Sequence, residues 1–104
     1  MTSDIASSGG ADEGTGVRRR EDGWVLLDDG AEVASVVAEP AGVDVLALTH
    51  TVTDPARRGE GLAGRLVEAV LADVRREGLT VRPECSYVAA WFARHPDQRD
   101  LLAT

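Results

Sequence analysis

Apolar positions recur along this chain with two different periods. As far as residue 53 they come in short runs divided by turn signals, and from Leu62 to Val74 they return every three or four residues. Residues 24–27, 31–39 and 43–53 read as strands, and the β-branched Val33, Val36 and Val37 suit the second of them. Asp28-Asp29-Gly30 joins the first two as a hairpin, because glycine supplies positive φ. Pro40-Ala41-Gly42 predicts a break after the second. Strict alternation in the third places Leu46, Leu48, His50 and Val52 on one face, with Val45, Ala47, Thr49 and Thr51 on the other. Connections this short make the three strands an antiparallel meander.

The period then changes. Leu62, Leu66, Ala69, Val70 and Val74 form a helical stripe, widened by Ala63, Val67 and Leu71. Arg75 and Arg76 suit the last turn of that helix, and Gly78 its C-terminal cap. A short strand over residues 79–82 follows a crossover helix and is expected parallel to the third strand. Ser86 is a candidate cap for a second helix over 87–94, and Pro96 ends it. Trp24, Trp91 and Phe92 are candidate core residues. Residues 1–16 are rich in Ser, Gly, Asp and Thr and read as a flexible tail, leaving 17–104 as the single folded domain.

Hydrophobic residues make up 43% of the 104, enough for a packed core. No apolar run approaches the roughly 20 residues that span a bilayer, and the N-terminus lacks the basic and apolar regions of a signal peptide. A cytoplasmic location and no membrane partner are expected. The formal net charge of −7 argues against a nucleic-acid partner and favours cationic ones, amines among them. All 11 positive side chains are arginines, and Arg18-Arg19-Arg20 reads as a solvated strand edge or tail boundary. One cysteine and two distant histidines give no metal site.

The chemistry concentrates between the third strand and the long helix, in Asp54-Pro55-Ala56-Arg57-Arg58-Gly59-Glu60-Gly61-Leu62-Ala63. A glycine-rich turn there opens directly into a helix whose first amides have no intrahelical partner, which suits a phosphate. Gly59 and Gly61 let backbone approach it, and Arg57, Arg58 and Arg65 bring guanidinium groups. An ordinary helix start is the plainer alternative for a lone Gly-x-Gly.

These residues resemble the GNAT acyltransferase superfamily, whose cofactor motif Gln/Arg-x-x-Gly-x-Gly/Ala is filled by Arg58, Gly61 and Ala63. The likeness extends to its small single-domain members through His50-Thr51, Cys85-Ser86-Tyr87-Val88 and Arg94-His95-Pro96. It implies an α/β (α+β-like) minimal GNAT fold and acetyl-CoA as cofactor. Thr51, Val52 and Thr53 would meet pantetheine where the flanking strands splay. Residues Arg57, Arg58, Gly59, Glu60, Gly61, Leu62 and Ala63 would form the diphosphate turn, with Arg94 and His95 at the nucleotide end. It further implies acetyl transfer to a small-molecule or protein amine at an open acceptor site, by a monomer or weak homodimer. A non-catalytic coenzyme A-binding module is the alternative, favoured by Val52 where many relatives carry Glu.

Three residues are candidates for the transfer itself. Cys85, at a helix start that favours thiolate, is a nucleophile or a proton donor, or else a small buried hydrophobe. His50 is a candidate base, or a hydrogen-bonded core histidine. Tyr87 is a candidate general acid, or an amphipathic core aromatic.

Overall fold

The computed structural model describes residues 15–103. Its sheet has five strands in the order β1-β2-β3-β4-β5: Thr15–Arg20, Gly23–Asp28, Ala31–Gly42, Val45–Thr53 and Thr80–Pro83. The first four form an antiparallel meander, and β5 lies parallel to β4. Helix α1, Leu62–Arg76, makes the crossover, and α2, Ser86–Arg94, follows β5. A 3₁₀ helix, Pro96–Leu101, closes the chain onto α1 and β5. The α/β meander, crossover helix and parallel strand expected from the pattern are all present. Of the expected tail, residues 1–14 lie outside the described residues.

The meander has one strand more than the apolar pattern predicts. Strand β1 carries the three consecutive arginines and only one large apolar side chain, Val17. As an edge strand it is held by its ladder to β2, so it needs no apolar face of its own. Arg19 pairs with Glu77 and lies over the Trp24 ring, while Arg20 pairs with Glu32. The turn back into β2 depends on Gly23, at φ 148°, where an added Cβ would stand 1.9 Å from the Val36 carbonyl oxygen.

Strand β3 also runs through Pro40, where a break was expected. The reason is local: β2 pairs β3 only as far as Val37, so Pro40 faces β4 alone and its missing amide costs no β2 bond.

Six residues of α1, Leu62, Leu66, Val67, Val70, Leu71 and Val74, are buried against the sheet. They pack with Trp24, Leu26, Val36 and Leu48 from the strands and Val88, Trp91 and Phe92 from α2, as the candidate core requires. Trp24 remains polar-satisfied there, because its ring nitrogen donates to Asp73 at 2.8 Å. Gly78, at φ 73°, ends α1 in the left-handed conformation, with the Leu79 amide bonded back to the Val74 carbonyl at 3.0 Å.

Strand β4 contains an irregularity that sets the site. Val37 faces His50 but Ala38 faces Leu48, so Thr49 is an extra residue in β4. That bulge reverses the alternation: Leu48, Thr51 and Thr53 lie on the helix side, while His50 and Val52 turn to the other face. The uniform alternation expected for this strand fails at that point.

Candidate functional site

Strands β4 and β5 pair only from Val45↔Thr80 to Leu48↔Pro83. The Leu48 carbonyl then accepts from the amides of Glu84 and Cys85, at 3.1 and 3.0 Å, which turns the chain away into α2. Beyond it, residues 49–53 have no ladder partner on the β5 side. The two segments diverge, and a cleft of about 320 Å³ opens between β4, the start of α1 and Tyr87 of α2.

The floor of this cleft is the glycine-rich turn. Asp54 caps the 3₁₀ turn Pro55–Arg57 by accepting from the Ala56 amide at 2.9 Å. Gly59 and Gly61 then take left-handed conformations, φ 86° and 75°, which L-residues adopt only with strain. Gly61 is the N-cap of α1, and no side chain caps the helix. An added Cβ at either glycine would meet nothing within 4 Å, so the space above the turn is open. The first amides of α1 thus line a cavity with no partner from their own helix, an arrangement suited to an anion.

Charges around the turn divide into two sets. Arg57 is committed: its Nε is 3.0 Å from both Glu60 carboxylate oxygens, and its Nη2 is 2.9 Å from Asp28. Those partners raise the guanidinium pKa, and Arg57 in turn holds the Glu60 carboxyl below its ordinary value. Arg58 and Arg65 are exposed and form no ion pair among the described residues.

Beside the cleft, the Cys85 sulfur is 3.3 Å from Oγ1 of Thr51, one of its lining residues. Cys85, and not Ser86, occupies the N-cap position of α2. Burial alone would raise the thiol pKa. The Thr51 hydroxyl and the amides of Val88, Tyr87 and Thr51 outweigh it, so the thiol lies below its ordinary value. The Tyr87 hydroxyl reaches across to the first turn of α1, 3.5 Å from where a Gly64 Cβ would stand.

A family model described as GCN5-related N-acetyl-transferase matches residues 24–101, well over half of the chain. The chain belongs to that family. Its fold is similar to the solution structure of a GCN5-like N-acetyltransferase candidate from Staphylococcus aureus, with TM-score 0.70 and 16% identity over 86% of this chain and 89% of that one. It is also similar to the crystal structure of the ribosomal-protein-S18-alanine N-acetyltransferase of Escherichia coli, with TM-score 0.57 and 18% identity. That match covers 73% of this chain and about half, 53%, of the Escherichia coli enzyme. No curated protein sequence matches the chain.

Within this GCN5-related fold, the cleft gathers Thr51, Thr53, Arg57, Arg58, Gly59, Gly61, Leu62, Ala63 and Tyr87. Cys85 joins them through Thr51. His50 and Val52 are not brought in, because the bulge turns both to the exposed face of β4; Val52 is 58% exposed. His50 is therefore no core histidine, and it can serve an amine only from that face. Glu60 reaches the site through Arg57.

Arg94 and His95 also lie apart from the turn. His95 stacks on Trp91 with ring centroids 3.8 Å apart, and its Nδ1 is 2.8 Å from the Trp91 carbonyl. It lines a second, larger cleft of about 420 Å³ between α1, α2 and the 3₁₀ helix. That cleft is lined by no glycine-rich turn and no open strand edge, and Asp97 at the start of the 3₁₀ helix faces it, so it is the weaker candidate for a diphosphate despite its size.

No cluster of His, Cys, Asp and Glu able to hold a metal occurs among the described residues, and no helix among them is long and apolar enough to cross a membrane. Sequence reasoning missed Asp28 as part of the site. Its only local signal was the hairpin it begins.

Proposed function

We propose that this GCN5-related domain binds acetyl-CoA in the β4–α1 cleft and transfers its acetyl group to an amine. The observation that carries the reading is the open cleft between an uncapped helix start and an unpaired strand edge. The residues present fit the cofactor. The amides of Gly59, Gly61 and Ala63 would hold its diphosphate, and the free edge of residues 51–53 would hydrogen-bond its amide-bearing arm. Acetyl-CoA would supply the activated thioester.

The chain's own contribution is a thiol whose pKa lies below its ordinary value, held against Thr51 where β4 and β5 part. A thiol that ionises more readily than an ordinary cysteine suits, once deprotonated, nucleophilic attack on a thioester, with Cys85 as transient acetyl carrier and Tyr87 as a proton source for the departing sulfur. Direct attack by the amine is the rival route, with His50 as base on the outer face. Acetyl-CoA mixed with the protein alone, followed by intact-mass analysis, separates them: an added acetyl group lost in Cys85→Ala supports the carrier route.

A non-catalytic coenzyme A-binding module is the second reading. It is favoured by Val52, which offers no carboxylate on the outer face of β4. Coenzyme A release with a panel of amines tests turnover; binding without release supports the module.

A further inference from the structure

Among the described residues, no backbone hydrogen bond ties residues 58–60 to the sheet or to α1. The segment before them is well fixed: the Asp54 amide donates to the Val33 carbonyl at 2.8 Å, and the Arg57 amide to the Asp54 carbonyl at 2.8 Å. The segment after them begins with Gly61 in a left-handed conformation. Two glycines in so short a turn give it many alternative shapes, and ordering such a turn only on ligand binding weakens affinity. What spans it is a side chain. Arg57 grips Glu60 across Arg58 and Gly59 through Nε, at 3.0 Å to each carboxylate oxygen, and through Nη2, at 2.9 Å. The same Nη2 is 2.9 Å from Asp28, at the end of β2, which ties the turn to the sheet.

We propose that Asp28, Arg57 and Glu60 form a clip that holds the diphosphate turn in its anion-accepting shape, Arg57 being a positioning residue that does not touch the phosphates. This rests on the cofactor reading above. Two carboxylates flank one guanidinium, so the clip adds negative charge beside the anion site and would oppose a diphosphate if charge alone mattered. Its benefit is the order it imposes, and the attraction is left to the helix amides and Arg58.

The sign of a charge-removing substitution separates the two accounts. Coenzyme A is titrated calorimetrically into wild type, Glu60→Ala and Asp28→Asn at one salt concentration, with melting curves as a control for folding. Pantetheine, which lacks the diphosphate, is titrated by NMR. The clip requires coenzyme A to bind about fivefold more weakly to each variant, although each has lost a negative charge, the scale expected when an ion-pair network and a preordered loop are lost. Pantetheine binding is then unchanged. Unchanged or tighter coenzyme A binding overturns the clip, since freeing Arg57 to reach the phosphates would give that result. An equal loss for pantetheine overturns it too, as general damage to the cleft. Wild type without affinity for coenzyme A overturns the cofactor reading as well, whereas wild-type binding with tighter variants overturns the clip alone.

Discussion

The sulfur of Cys85 lies 3.3 Å from the hydroxyl oxygen of Thr51, across the point where β4 and β5 part. The two residues are 34 positions apart, and their meeting depends on the bulge at Thr49. Without that extra residue Thr51 would face solvent and His50 would face the thiol. The bulge therefore decides which side chain meets the sulfur.

The thiol should titrate below the ordinary cysteine range, because the hydroxyl and nearby amides stabilise its charged form. Alkylation by a small haloacetamide, followed against pH, should thus reach half its limiting rate at a lower pH than for a free cysteine. Thr51→Val removes one stabilising donor, so its profile should move to higher pH. An unmoved profile would show that the hydroxyl contributes nothing.

Cys85→Ala should leave coenzyme A affinity within about twofold of wild type, since a truncated side chain away from the diphosphate costs little binding energy. Acetyl transfer should fall sharply if the thiol carries the acetyl group. Full transfer activity in this variant would return Cys85 to the role of packing.

Gly61→Val should cost about 1–2 kcal/mol of stability, because a β-branched residue is forced to a left-handed φ of 75°. Denaturant unfolding measures that cost. Coenzyme A binding should be lost as well, since the new side chain fills the open space above the turn. Preserved affinity would remove the phosphate role from this glycine.

Gly23→Ala should be far more harmful than Gly16→Ala, although both glycines lie in strands. A Cβ at Gly23 would meet the Val36 carbonyl oxygen at 1.9 Å, whereas one at Gly16 meets nothing within 4 Å. The expected cost is about 2–4 kcal/mol against less than about 0.5 kcal/mol, from the usual range for forced backbone shifts and for surface changes. Equal melting temperatures for the two variants would contradict the tight β1–β2 turn.

Much of this was legible in the sequence where the signal is local. The stripe of Leu62, Leu66, Val70 and Val74 defined α1, and strand, glycines and helix marked the turn because all three are contiguous. Strand β1 was only half legible: its arginines, which show no alternation, read as a solvated strand edge or a tail boundary, and pairing with β2 decides for the first. Pro40 read as a break because its exposure beyond the end of β2 is a property of the sheet. The Thr49 bulge carries no composition signal; alternation counted straight through it put His50 on the wrong face. The ion pair of Arg57 with Asp28 was not legible, because that distant partner is brought in only by folding.

An ¹⁵N-labelled sample titrated with coenzyme A tests the central claim most directly. Amides of Gly59, Gly61, Leu62 and Ala63, and of residues 51–53, should shift together and saturate, while those around Trp91 and His95 stay still. Silence at the glycine-rich turn, or shifts confined to the Trp91–His95 cleft, would contradict it.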